Sequence, residues 1–161
     1  MSKAQTISTT ASDPTVAAAA AQFLSPVVLG LQALTINGKQ AHWHVRGANF
    51  IGVHELLDTI VAHAGDFADT AAERIVALGL PIDARVSAVA AKAPNTGVPA
   101  GFTQSDDIIR AIVADIDAIL VDAKAAIDGL DEIDLTSQDV AIEIMRGLEK
   151  DRWFLVAHVA A

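Results

Sequence analysis

The sequence predicts an all-α fold: four long helices packed as a bundle, with one long crossover between the second and third. Three observations predict it. Long stretches rich in Ala, Val, Ile and Leu recur between breaker residues. No segment shows the strict apolar/polar alternation of a half-buried strand. Residues 80–104 collect Pro81, Pro94, Pro99, Gly97 and Gly101, a breaker-rich connection far longer than a tight turn.

Met1 to Ser12 is small and polar and reads as a flexible tail, which leaves 13–161 as a single domain. Ser12-Asp13-Pro14 is a helix start, with a capping side chain and Pro near the first helical position. The first helix runs to about Val45, and Pro26 either kinks it or restarts it with Ser25 as a cap. Gly47-Ala48-Asn49 is a short turn. The second helix spans about Phe50 to Leu78 and stops at Gly79-Leu80-Pro81. The crossover has room for one short helix at 83–91. Ser105-Asp106-Asp107 opens a third helix with acids in its first turn, where the helix dipole favours them, and Gly129 ends it. A cap at or near Thr136 starts a fourth helix that runs to the C-terminus. Four helices with a single long crossover make the ferritin-like topology.

Composition narrows the function. With 20 acids against 11 Lys and Arg, the formal charge is −9. Phosphate backbones and anionic membranes are therefore poor partners, and a cationic guest suits the chain better. With no cysteine, a disulfide framework, a thiolate metal site and a thiol nucleophile are excluded, and a reducing cytoplasm is expected. The mean hydropathy of +0.40 is high for a soluble monomer and predicts surface buried between subunits. The uncharged run from Pro14 to Lys39 is long enough to span a membrane. It carries Gln22, Ser25, Pro26, Gln32, Thr35 and Asn37, however, and Ala18 to Ala21 add little hydrophobicity, so it reads as a buried helix. Asp13-Pro14 and the single basic residue Lys3 argue against a signal peptide.

Chemistry concentrates in residues 39–74. Four of the five histidines lie there, His42, His44, His54 and His63, with Asp58, Asp66, Asp69, Glu73 and Trp43. A His and carboxylate cluster on a helix suits iron or zinc. At 100° per residue, Asp58, Asp69 and Glu73 stand about 40°, 60° and 100° around the second helix from His54, so all four share one stripe. His54 and Asp69 are nonetheless separated by roughly 22 Å of helix at 1.5 Å per residue, which no single centre spans. The ligands are two i,i+4 pairs, His54/Asp58 and Asp69/Glu73. Two antiparallel copies of the helix, crossing near residues 63–64, would bring each pair beside the other chain's complementary pair. That is a two-fold dimer with two equivalent sites. His42, near the end of the first helix, can pack against His54 and complete a set of two His and three carboxylates. One such pair is common on a solvated helix face; two on one stripe favour metal.

KQAHWHVRGANFIGVHELLD followed by DFADTAAER resembles the signature of the Dps family, the mini-ferritins, and weaker similarity reaches LEKDRWF at 148–154. The resemblance implies a shell of twelve copies with a ferroxidase centre between two subunits. Its metal ligands fall on His42, His54 and Asp58 of one subunit and on Asp69 and Glu73 of the partner. It also implies oxidation of Fe(II), preferentially by hydrogen peroxide or otherwise by oxygen, with ferric mineral stored inside. Trp43 matches the family tryptophan beside the centre, where it donates an electron or quenches a radical, or else packs beneath the site.

His44 stands where many relatives have Asn. It is read as a supporting base or, preferably, an exposed side chain. His63 falls close to the predicted two-fold axis, where a structural role is favoured over metal binding. Asp66 supports the ligands or the interface, pairing Arg74 or Arg46 of a neighbour. Asp131, Asp134, Asp139 and Glu143, around the start of the last helix, are candidates for acidic pores that admit iron. Relatives that condense DNA carry Lys-rich tails; here the tail has only Lys3, so no DNA binding is expected. A competing reading uses the same metals to cleave amide or ester bonds of acyl-amide substrates, with His44 or His63 as general base.

Overall fold

The computed structural model describes residues 13–92 and 97–160. The elements are α1 (Pro14–His44), β1 (Val45–Arg46), α2 (Phe50–Ala77), α3 (Val86–Lys92), β2 (Thr103–Gln104), α4 (Ser105–Leu130) and α5 (Leu135–Ala157). The tail expected over Met1 to Ser12 and the breaker Pro94 lie outside the described residues.

Asp13 caps α1 through its carboxylate, which accepts the Thr15 N–H at 2.7 Å, and Pro14 occupies the first turn, where no N–H is needed. The restart at Pro26 does not occur. α1 is one helix with Pro26 inside it, and the Ser25 hydroxyl donates back to the Ala21 carbonyl instead of capping a new helix. α1 is the one described helix long and apolar enough to cross a membrane. It packs into the bundle, burying Leu24, Val27, Val28, Leu31 and Leu34.

α1 packs against α2 and α4, α4 against α5, and α5 against α2, which closes the bundle. The core is a single cluster, with Leu57, Ile60 and Ile75 from α2, Ile108, Ile112 and Ile116 from α4, and Ile144 and Leu148 from α5. α2 and α5 approach closely where Gly147 faces Phe67: a Cβ on Gly147 would stand 2.2 Å from the Phe67 ring.

One element departs from the all-helix expectation. Val45 pairs with Thr103 and Arg46 with Gln104 in a two-residue parallel bridge. Two residues are too few for alternation to register. The bridge ties the end of the crossover to the turn after α1. Gly47 sits at φ 99, in the left-handed region that favours glycine, and a side chain there would meet Gln104 at 2.2 Å. Ser105 opens α4 as expected but does not cap it. It is buried, and its hydroxyl donates to the Ala48 carbonyl at 2.8 Å. The last helix starts at Leu135, with Asp134 rather than Thr136 before it.

Candidate metal centre

The β1 bridge and the Gly47–Asn49 turn send α2 back alongside α1, which sets His42 against His54. The two rings stack with centroids 3.7 Å apart and planes 20° from parallel. His42 Nδ1 lies 2.8 Å from the His54 carbonyl oxygen, and His54 Nδ1 lies 2.9 Å from the His42 carbonyl oxygen. Carbonyls only accept, so each Nδ1 carries the hydrogen and each neutral ring keeps its lone pair on Nε2. Neither Nε2 has a partner, and no buried side-chain nitrogen or oxygen among the described residues lacks one. Both Nε2 atoms therefore reach solvent. They border a recess of about 460 Å³ lined by His42, His54, Glu55, Asp58, Thr59 and Ala62.

Asp58 closes one side of this recess and is bound by the Lys39 ammonium. The Lys39 hydrogen bond, with smaller help from the Lys39 charge, holds the Asp58 carboxyl below the ordinary carboxylate range. A cation already sits on this carboxylate, and a metal ion would take its place.

Among the described residues, no three His, Asp or Glu side chains converge closely enough within one chain to hold a metal. Asp69 and Glu73 lie further along the outer face of α2, exposed and without a hydrogen bond or ion pair among the described residues. One chain thus presents two imidazoles with Asp58 in one place and two unpartnered carboxylates in another.

The residues expected to support the ligands are dispersed. Trp43 is 63% exposed, so it packs beneath nothing within its own chain. His44 is half-buried rather than exposed: its Nδ1 bonds the Gln40 carbonyl at 2.8 Å and its ring leans on Phe102 at 5.5 Å. Arg46 lies over that same Phe102 ring, 3.2 Å from its centroid. Arg74 is engaged by Asp134 at 2.7 Å and Ser137 at 2.9 Å. Arg74 is thus engaged within its own chain, whereas the Arg46 side chain has no hydrogen bond or ion pair among the described residues, and Asp66, expected to pair one of them across a subunit contact, is exposed. His63 turns to α5, where its Nδ1 lies 2.9 and 3.0 Å from the two carboxylate oxygens of Asp151. Neither His44 nor His63 lines the recess within one chain.

The acids around the α4–α5 turn also separate. Burial pushes the Asp134 carboxyl up, but Ser137 and Arg74 together bring it below its ordinary value. With a side chain only 13% exposed, Asp134 is a structural tie rather than a pore residue. Asp131 accepts from Gln138 Nε2 at 3.3 Å. Asp139 and Glu143 are exposed and remain the pore candidates.

Two residues escaped the sequence reading. Glu55 lines the recess although only Asp58 was paired with His54; its place beside His54 in VHE was the available signal. Asp151, in LEKDRWF, is 1% exposed, and nothing in the one-dimensional pattern marks it as buried.

A family profile for the ferritin-like domain matches residues 30–161. The chain is 36% identical over 127 residues to the DNA protection during starvation protein of Agrobacterium fabrum, covering 78% of each. The solved structure of Dps from Microbacterium arborescens in the high iron form superposes with a TM-score of 0.93 at 73% identity, covering 96% of this chain and 100% of that one. The tetragonal form of Mycobacterium smegmatis Dps gives a TM-score of 0.88 at 28% identity, covering 97% and 96%.

Proposed function

The chain belongs to the Dps family of ferritin-like proteins, and from that premise we propose that it sequesters iron by oxidising Fe(II) at centres shared between two subunits. His42, His54 and Asp58 of one subunit and Asp69 and Glu73 of its partner bind the substrate iron. Two such centres per pair of chains recur in a hollow homo-oligomer, a dodecamer, that stores the ferric product. Glu55, at the rim of the recess, adds a carboxylate to the set.

The reciprocal His42–His54 bonds carry this reading. They fix both tautomers and leave two Nε2 lone pairs beside a carboxylate, while the remaining carboxylates stand on a distant part of the same helix. Imidazole and carboxylate together suit iron in both oxidation states, and the hard carboxylates favour the ferric product. With hydrogen peroxide as oxidant, two Fe(II) ions each give one electron, the O–O bond breaks, and two protons complete two waters. Taking both electrons at one centre avoids releasing a hydroxyl radical. Protection then comes from iron chemistry rather than DNA coating, in keeping with a charge of −9. Lack of cysteine fits a cytoplasmic setting.

The test is Fe(II) oxidation, driven by peroxide and by oxygen, in wild type, His54→Ala and Asp58→Ala. Loss of oxidation in both variants supports the proposal. Wild-type rates in either variant would sink it.

A further inference from the structure

Asp151 on α5 is 1% exposed, and the only donor bonded to its carboxylate among the described residues is His63 Nδ1 on α2. A carboxylate accepts, so Nδ1 carries the hydrogen and the lone pair of the neutral ring sits on Nε2. That atom has no partner among the described residues. Because no buried side-chain nitrogen among the described residues is unpartnered, Nε2 faces solvent, and the His63 side chain is 41% exposed. A carboxylate fixing one ring nitrogen while the other points outward is how proteins prepare a histidine for a metal ion.

One turn further along α2 stands Asp66. It is exposed, and its carboxylate makes no hydrogen bond or ion pair among the described residues. Residues at i and i+3 are neighbours on a helix surface, and di-iron bundles use a carboxylate and a histidine at this spacing in the opposite order, Glu-x-x-His. Lys150, whose charge also reaches Asp151, lies over the Phe154 ring at 5.6 Å. His63 is about 13 Å along α2 from His54 and about 180° around it, so this position is separate from the recess at His42 and His54.

We propose that His63 Nε2 and Asp66 bind a divalent first-row transition cation on the α5 flank of α2, with Asp151 orienting the imidazole and water completing the coordination. Two protein ligands make an open, exchangeable site, unlike the closed four-ligand sites that hold structural zinc. The site uses none of the five residues proposed for the inter-subunit centre.

Zn²⁺, which is redox-inert, is the probe, titrated into assembled His54→Ala protein so that the inter-subunit centre is disabled. Asp66→Asn and His63→Asn, each added to that background, should lower the bound Zn²⁺ by one equivalent per chain. Asn at 63 still offers an N–H to Asp151, and unchanged circular dichroism checks the fold. Asp151→Asn should retain the equivalent with affinity weakened about 10–100-fold. Retention of the full equivalent, at unchanged affinity, in either the Asp66 or the His63 variant overturns the site.

Discussion

His42 and His54 each bond the other's backbone carbonyl through Nδ1, at 2.8 and 2.9 Å. A side chain on each helix thus clasps the main chain of the other. The same two bonds join α1 to α2 and orient both metal-facing nitrogens. His42→Ala should therefore affect more than its own ligation, because the His54 ring loses its stacking partner. Fe(II) oxidation in His42→Ala is expected to fall by at least the about 10–100-fold typical of losing a supporting partner at a metal site. Stopped-flow absorbance of the ferric product checks this.

Lys39 competes with iron for Asp58. Replacing it in Lys39→Met frees the carboxylate, and Fe(II) should bind a few-fold more tightly under anaerobic conditions, because an exposed ion pair is weakly held. Calorimetry that finds equal or weaker binding would show that Lys39 assists the site instead of guarding it.

Asp134 and Asp151 predict opposite responses to acid. The Asp134 carboxyl is lowered in the folded chain from 3.8, so the unfolded state binds its proton more readily. Its stabilising effect is full above 3.8 and is lost as pH falls through the depressed folded value. The Asp151 carboxyl is raised from 3.8, chiefly by burial and against the pull of His63. The folded state holds that proton more tightly, so stability falls as pH rises from 3.8 through the raised value. Melting temperatures across this range should show Asp134→Asn flattening the acid loss and Asp151→Asn flattening the opposing slope. Curves parallel to wild type would refute the assignment.

At −9 per chain, the assembled protein should not retard plasmid in a gel at neutral pH and physiological salt, since binding to phosphates draws on Lys and Arg. Retardation that fades with added salt would mean that a local basic surface outweighs the net charge.

Helix limits were legible because breakers and caps act locally: Asp13-Pro14, Gly79-Leu80-Pro81 and Ser105 stand where helices begin or end. Angular spacing also separated His54/Asp58 from Asp69/Glu73, since helix geometry is regular over that distance. Contacts that depend on packing were not legible. Asp151 meets His63 only because Gly147 lets α5 close on Phe67. Arg74 was expected, with Arg46 as the alternative, to pair with a neighbour's Asp66; Asp134, 60 residues on, bonds Arg74 within the chain. Sequence distance carries no warning of such a pairing. The bridge of Val45 to Thr103 was invisible for a related reason, as its two residues pair across the whole of α2 and the crossover.

The central claim, that neither chain alone completes the oxidising centre, is tested by complementation. One chain carries His54→Ala with Asp58→Ala, and the other Asp69→Ala with Glu73→Ala. Each assembled alone should be inactive. Co-expressed with different affinity tags and purified through both, they should regain activity. A mixed dimer has one centre with every ligand and one left with His42 alone of the five, so random pairing restores about a quarter of wild-type Fe(II) oxidation. No activity in the doubly tagged assemblies, or substantial activity in either parent alone, would contradict a centre shared between subunits.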